Sequence, residues 1–352
     1  MIKLGIIGGG QLALMLICAA KRLNVHTTIY CDDENAPSRC FCNRFVVGDY
    51  NDYSSLSEFA STVDVITFEF ENIPYESLRE VNKTTQVFPF PEINQIIQHR
   101  IREKDFVNSL QLKTTDYKLV RTVDDILQYT DMLPCILKTC TMGYDGKGQY
   151  RLNCKEDVEQ LDLDSSQEYI LEKTVQLKKE ISVVLARFSE NKYEIYEPVE
   201  NIHKEQILRT SEIPAKISKE LYKKSQEGAI KIAENLNYVG TLCVEYFIDE
   251  DYELYVNEIA PRVHNSGHLT IGTHTVNQFE NHIRAVCDLE QKETKKLYNA
   301  KMTNVIGEDA TCHMKIEDAF SEESLGKNFY FDYRKKEVKP NRKMGHYTEI
   351  IN

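Results

Sequence analysis

The alternation of apolar and polar positions divides the chain into short runs that read as strands and longer periodic stretches that read as helices. Residues 2–7 (Ile-Lys-Leu-Gly-Ile-Ile) predict a strand running into Gly8-Gly9-Gly10-Gln11-Leu12-Ala13, followed by a helix over Leu14–Leu23. A second strand over Thr27–Tyr30 ends at Asp32-Asp33, which completes a βαβ opening. Val63–Phe68 predicts another buried strand, ending in Glu69-Phe70-Glu71-Asn72-Ile73-Pro74. Phe88–Pro91, with two prolines, marks the end of a first domain. Helical spacing returns over 94–112, over 219–236 and over 278–287. Cys135–Lys138, Tyr169–Leu171 and a run beginning at Glu180–Ala186 read as strands between them.

The clearest hairpin lies within residues 243–268, where β-branched and aromatic residues flank the acidic turn Asp249–Tyr252. With Ile248 paired to Glu253, Glu245 opposes Val256, and Glu258 lies one diagonal further on. That face would also carry Phe247, Leu254 and Val256. Side chains on such a diagonal are about 7–8 Å apart or less, so one small ion reaches both carboxylates. Two half-buried carboxylates without a cation repel each other and are costly to desolvate. A hard cation such as Mg²⁺, or Mn²⁺ in its place, suits them, since it takes few protein carboxylates and completes its shell from nucleotide phosphates. A solvated acidic hairpin fits the spacing equally well. Arg262, His264, Asn265, Ser266 and His268 follow directly, donors suited to an anion.

Composition narrows the function classes. At 352 residues, with 41% hydrophobic and 28% charged residues, the chain has room for two or three soluble domains. A net charge of −12 argues against a general nucleic-acid or membrane-surface binder. The ten cysteines are scattered, with no zinc spacing, and no apolar run approaches membrane-spanning length. Reduced thiols and a cytoplasmic location are expected.

Two glycine-rich stretches invite phosphate. The Gly8–Ala13 turn opens a helix, where free N–H groups suit an anion. It also fits the dinucleotide fingerprint Gly-x-Gly-x-x-Ala with an acidic residue about 20 positions on, so an NAD-dependent oxidoreductase is one reading. The second stretch, Gly143-Tyr144-Asp145-Gly146-Lys147-Gly148-Gln149, follows the strand that ends near Lys138. It reads as a loop over phosphates, as a hairpin turn around Asp145-Gly146, or as both. The basic residues Arg100, Arg102 and Lys104 on helix 94–112 read as a solvated face, and Glu172 and Glu180 border a break between apolar runs. Six cations crowd the fourteen residues 333–346 of an otherwise acidic chain.

Five stretches occur together and in order: Gly8–Leu12, Glu69–Pro74, Gly143–Gln149, Asn257–His268 and Arg342–His346. In them the chain resembles the ATP-grasp ligases, and among these the 5-(carboxyamino)imidazole ribonucleotide synthases of purine biosynthesis. The resemblance implies a Rossmann-like pre-ATP-grasp domain (1–92), a central ATP-grasp domain (93–295) and a small β-rich C-terminal domain (296–352), an α/β and α+β chain. The implied reaction carboxylates 5-aminoimidazole ribonucleotide with bicarbonate and ATP, through carboxyphosphate, with Mg²⁺ as cofactor and a homodimer as the assembly. Arg100 and Lys138 would meet the nucleotide phosphates beneath the loop Gly143, Tyr144, Asp145, Gly146, Lys147, Gly148 and Gln149. Glu172, Lys173, Thr174 and Val175 would hold adenine, Glu180 the ribose and His203 the region beside it. Asn257 and Glu258 would complete the nucleotide site, with Glu245 and Glu258 on the metal. Gln11, Leu12, Glu69, Asn72, Asn265, Ser266, Arg342 and Lys343 would receive the ribonucleotide, and Arg262, His264 and Lys335 would surround carboxyphosphate. Ala13-Leu14 stands where the family often has Gly-Arg, Met142 where it has glycine, and Arg334 and Asn341 where glycines are usual. A formate-dependent glycinamide ribonucleotide transformylase is the neighbouring alternative within the fold.

Overall fold

The computed structural model describes residues 1–141, 148–307 and 325–351. The chain opens with β1 (Lys3–Ile7), α1 (Gln11–Arg22), β2 (His26–Cys31), β3 (Arg44–Val47), α2 (Tyr53–Ala60), β4 (Val65–Phe68) and α3 (Tyr75–Asn82). Strands β3-β2-β1-β4 form a parallel sheet in which β1 is buried from Leu4 to Ile7 and β2 from Thr27 to Cys31, as a sheet covered on both faces requires. The helical stretch at 94–112 is two helices, α4 (Pro91–Ile97) and α5 (Arg100–Ser109). They break at His99 because the Arg100 N–H donates to Cys140 O (2.9 Å), a partner outside the helix.

Next comes a small antiparallel sheet, order β5-β8-β6-β7, from β5 (Tyr117–Val120), α6 (Val123–Leu127), β6 (Cys135–Thr139), β7 (Gln149–Leu152), α7 (Lys155–Glu159) and β8 (Tyr169–Lys173). The main sheet is built from β9 (Leu177–Ser189), β10 (Lys192–Ile195), β11 (Val199–Lys204), β12 (Ile207–Ile213), β13 (Gly240–Asp249) and β14 (Leu254–Ala260), with α8 (Lys219–Asn235) inserted before β13. After a 3₁₀ turn at Asn265–Thr270 and α9 (Gln278–Val286), the chain returns as β15 (Asn299–Ile306), β16 (Phe329–Asp332) and β17 (Lys343–Ile351). These last strands do not stand apart. β15 pairs with β12 from Thr210↔Thr303 to Ile213↔Ala300, so nine strands share one sheet with β14 at one edge.

A side-chain cap starts α9, one of the helices that brace this frame. Asn277 accepts the N–H groups of Phe279 and Glu280 (3.0 Å each) to start α9. Helices α1 and α9 then share one core with Phe331 and Tyr333, which ties the first sheet to the C-terminal strands. At the same junction the buried His282 ring links Thr67 of β4 (2.8 Å) to the Thr241 N–H of β13 (3.0 Å).

Candidate active site

The three sheets meet around an open cleft of about 880 Å³. Its first wall is the glycine turn before α1. Gly10 N–H donates to Glu69 Oε1 at 2.8 Å, and a Cβ on Gly8 would meet the Glu69 side chain at 2.8 Å. The carboxylate at the end of β4 therefore holds the helix terminus that a dinucleotide's pyrophosphate would need, and the NAD reading is corrected on this ground. Burial pushes the Glu69 carboxyl up, against the pull of the Gly10 N–H and of nearby Arg262 and Lys335. Gln11, Leu12, Glu69 and Asn72 all line the cleft.

The opposite wall comes from the small sheet. Lys138 of β6 reaches Glu172 of β8 at 2.9 Å, with only 11% and 5% of the two side chains exposed. Burial alone would raise the Glu172 carboxyl, yet Lys138 and then Lys104 outweigh it and hold it at about 2. Lys173, Thr174 and Val175 continue the wall from Glu172, and Gln149 enters it from β7. Gly148 lies just behind, its carbonyl accepting from Thr139 N–H (3.0 Å). Gly143, Tyr144, Asp145, Gly146 and Lys147 lie outside the described residues, as does Met142. On the main sheet Glu180 and His203 face each other at 2.6 Å across β9 and β11.

The floor is the β13–β14 hairpin, whose register corrects the simple pairing. Ile248 pairs with Leu254, not Glu253, and a bulge lets Glu245 oppose Glu258 directly. The extra residue of the bulge is Asn257, so Asn257 and Glu258 both line the cleft although they are consecutive. Leu254 and Val256 turn the other way and pack with Tyr246 and Ile248 in the main core. Glu245 is paired with His264 (2.8 Å), and Glu258 lies 3.5 Å from Arg100. Burial opposes charge on both members of the first pair, but neighbours prevail: His264 holds Glu245 at about 2, while Cys243 and then Glu245 raise His264 to about 10. Burial and then the Glu245 charge push the Glu258 carboxyl up.

Beyond the hairpin, Arg262 pairs with Glu71 at 2.6 Å, and Lys335 and Lys343 approach from the tail. Lys335 Nζ donates to Lys343 O (2.7 Å), which clips the two ends of the tail loop together. Asn265 lines the cleft while 7% exposed, and neither polar atom of its amide has a partner among the described residues. Two residues grouped with it sit elsewhere. Ser266 is fully buried and bonds Ser182 (2.7 Å) and the His264 ring (2.9 Å), so it orients His264 and does not face the cleft. Arg342 turns away to donate to Glu337 O (3.1 Å). His268 is also buried, packed against Phe279, Tyr333 and His346.

Three family models match: a ribonucleotide synthetase preATP-grasp domain over residues 1–98, an ATP-grasp domain over 105–279 and a phosphoribosylaminoimidazole carboxylase C-terminal domain over 300–352. The N5-carboxyaminoimidazole ribonucleotide synthase of Bacillus subtilis is 36% identical over 98% of this chain and 90% of its own. The chain belongs to the N5-carboxyaminoimidazole ribonucleotide synthases. The Staphylococcus aureus N5-carboxyaminoimidazole synthetase complexed with ADP superposes with a TM-score of 0.89 at 33% identity, covering 100% of this chain and 93% of that one. The Aspergillus clavatus N5-carboxyaminoimidazole synthase in complex with ADP and 5-aminoimidazole ribonucleotide superposes at 0.87 and 28% identity, covering 99% and 94%. The family read from the five motifs is the family found.

Within this synthase fold, sequence reasoning missed two residues under the floor. Glu103 and Lys104 of α5 are 4% and 2% exposed, which corrects the solvated-face reading for this part of the helix. Their apolar neighbours Ile101, Phe106 and Val107 gave the only hint of a buried side. As for a metal, no cluster of three or more acidic, histidine or cysteine side chains converges among the described residues. The donor set is two opposed carboxylates on an open floor, one of them pushed up by burial and then by the other's charge. That fits a hard cation whose remaining oxygens come from ligand phosphates and water.

Proposed function

We propose that this synthase uses ATP and bicarbonate to carboxylate the exocyclic amine of 5-aminoimidazole ribonucleotide, giving 5-(carboxyamino)imidazole ribonucleotide, ADP and phosphate. One observation carries the assignment of roles: a single cleft joins the buried Lys138–Glu172 pair and the opposed Glu245 and Glu258 to Glu69, Arg262 and the tail lysines. Bicarbonate is a poor electrophile, and transfer of a phosphoryl group to it gives carboxyphosphate, whose carbon, or the CO₂ it releases, meets the amine. Such a transfer asks the protein mainly for positioning and for charge neutralisation. In this reading Arg100 and Lys138 meet the nucleotide phosphates, Glu172 to Val175 take the adenine edge, and Glu180 takes the ribose with His203 in the region beside it. Glu245 and Glu258 would hold Mg²⁺, which when bound neutralises phosphate charge.

Glu69, kept in place by Gly10 N–H, and Asn72 line the ribonucleotide pocket with Gln11 and Leu12. The unpartnered Asn265 amide supplies a donor and an acceptor to the same ligand. Arg262 and His264 hold positive charge beside the transferring group, Arg262 anchored by Glu71 and His264 by Glu245 and Ser266. Lys335 and Lys343 close the ribonucleotide end, where excluding water protects carboxyphosphate from hydrolysis. A homodimeric, cytoplasmic enzyme fits the family; among the described residues no helix is long and apolar enough to cross a membrane. The deciding assay is ADP release from Mg-ATP and bicarbonate with and without 5-aminoimidazole ribonucleotide. Strong stimulation that disappears in Glu258→Gln is expected. Stimulation by glycinamide ribonucleotide with formate instead would sink the substrate assignment.

A further inference from the structure

Three residues of α5 close on one short stretch of β14. Arg100 Nη1 lies 3.5 Å from Glu258 Oε2, Glu103 Oε1 accepts Ile259 N–H at 2.6 Å, and Lys104 Nζ donates to Asn257 O at 3.1 Å. One helix thus holds the side chain of Glu258 and the peptide groups on both sides of it. We infer that Glu103 and Lys104 are positioning residues for the cation site, fixing the β14 bulge so that Asn257 and Glu258 both face the cleft. The inference rests on the reading that Glu258 holds the metal.

The geometry asks for such a device. β14 is the edge of its sheet, so its outer peptide groups have no strand to pair with. A bulge further disrupts the ladder at the extra residue, here Asn257. The chain satisfies this edge group by group: Val256 N–H donates to Lys113 O (2.7 Å), Thr114 Oγ1 donates to Val256 O (2.8 Å), and Lys104 also reaches Thr114 Oγ1 (2.8 Å). Apolar side chains would seal a helix against an edge strand without desolvating charge. Burying an ammonium and a carboxyl group is costly unless each finds hydrogen-bond partners. Here both are aimed at the two peptides that flank the proposed metal ligand, which packing alone does not require.

The test is Mn²⁺ binding in the presence of ADP, read by electron paramagnetic resonance of free Mn²⁺, with the KM for 5-aminoimidazole ribonucleotide and thermal melting measured alongside. Lys104→Met and Glu103→Asp are expected to weaken Mn²⁺–ADP binding about tenfold or more, as loss of groups that orient metal ligands does elsewhere. The ribonucleotide KM should stay put. Glu103→Gln keeps an oxygen for Ile259 N–H and should lose less than Glu103→Asp, which withdraws it. Variants that melt lower yet bind Mn²⁺–ADP as the wild type does would assign α5 to packing and overturn the inference. If Lys104→Met does not fold, the order of Glu103→Gln and Glu103→Asp decides alone. Glu258→Gln separates the two levels: unchanged Mn²⁺ binding there would overturn the metal reading itself and this inference with it.

Discussion

Lys138 and Glu172 form an ion pair with almost no access to water, and a pair of this kind is far more sensitive to losing one member than both. Lys138→Met should destabilise the fold by about 3–5 kcal/mol, since it strands a buried carboxylate. Adding Glu172→Gln should recover most of that stability in urea unfolding but none of the thermal protection by Mg-ADP. The pair also sets an acid limit. Glu172 titrates at about 2 in the fold against an ordinary 4.5, so its contribution is full above 4.5 and is lost as pH falls toward 2. His282 acts in the same direction at milder pH. Burial lowers it from 6.5 to about 3, so between these values the unfolded chain binds a proton that the fold refuses. Stability should fall by about 1.4 kcal/mol per pH unit for that one proton below pH 6.5, and His282→Gln should flatten the slope between pH 6 and 4 by about that amount. Lys138 was legible as a lysine at a strand end before a glycine loop. Lys104 was not, because a charged residue on a helix reads as solvated until its tertiary neighbours are known.

Among the elements, the loop between β16 and β17 holds two non-glycine residues at positive φ. Arg334 (φ 57°) and Asn341 (φ 62°) occupy the left-handed region, at positions where the family resemblance implies glycine, so the turn geometry is kept without the residue suited to it. Arg334→Gly should raise stability by up to about 1 kcal/mol in thermal or urea unfolding, the relief of strain being partly offset by the freer unfolded chain. The arginine gives up only a half-exposed contact with Asp332 (3.6 Å). Asn341→Gly should change little, because asparagine tolerates this conformation. The β13–β14 hairpin was legible from its acidic turn, but its bulge was not. Apolar alternation predicts a regular ladder, whereas the pairing here also answers to peptide groups satisfied by α5, more than 150 residues earlier in the chain. The same holds for the break at His99, which depends on a carbonyl from the end of β6 and beyond.

At the scale of the molecule, the motif order revealed the fold and the family, while the join between the last strands and the rest had no local signature. β12 and β15 are adjacent in space and separated in sequence by α8, a hairpin and α9. Deleting residues 325–352 would strip β17 from β15, remove Phe331 and Tyr333 from the core of α1 and α9, and leave β15 as an open edge. Such a chain should aggregate or melt without a cooperative transition, as light scattering and calorimetry would register.

The breadth of the cleft wall, from Gly10 to Lys343, has a further consequence during synthesis. Domains fold as they emerge, N-terminal part first. The glycine turn, Lys138 and the paired glutamates all leave the ribosome well before Lys335 and Lys343. Until β17 has docked, a nascent chain lacks the two lysines proposed to close the ribonucleotide end and keep carboxyphosphate from water. On that proposal catalytic competence arrives with β17, and a product stalled before it should be inactive.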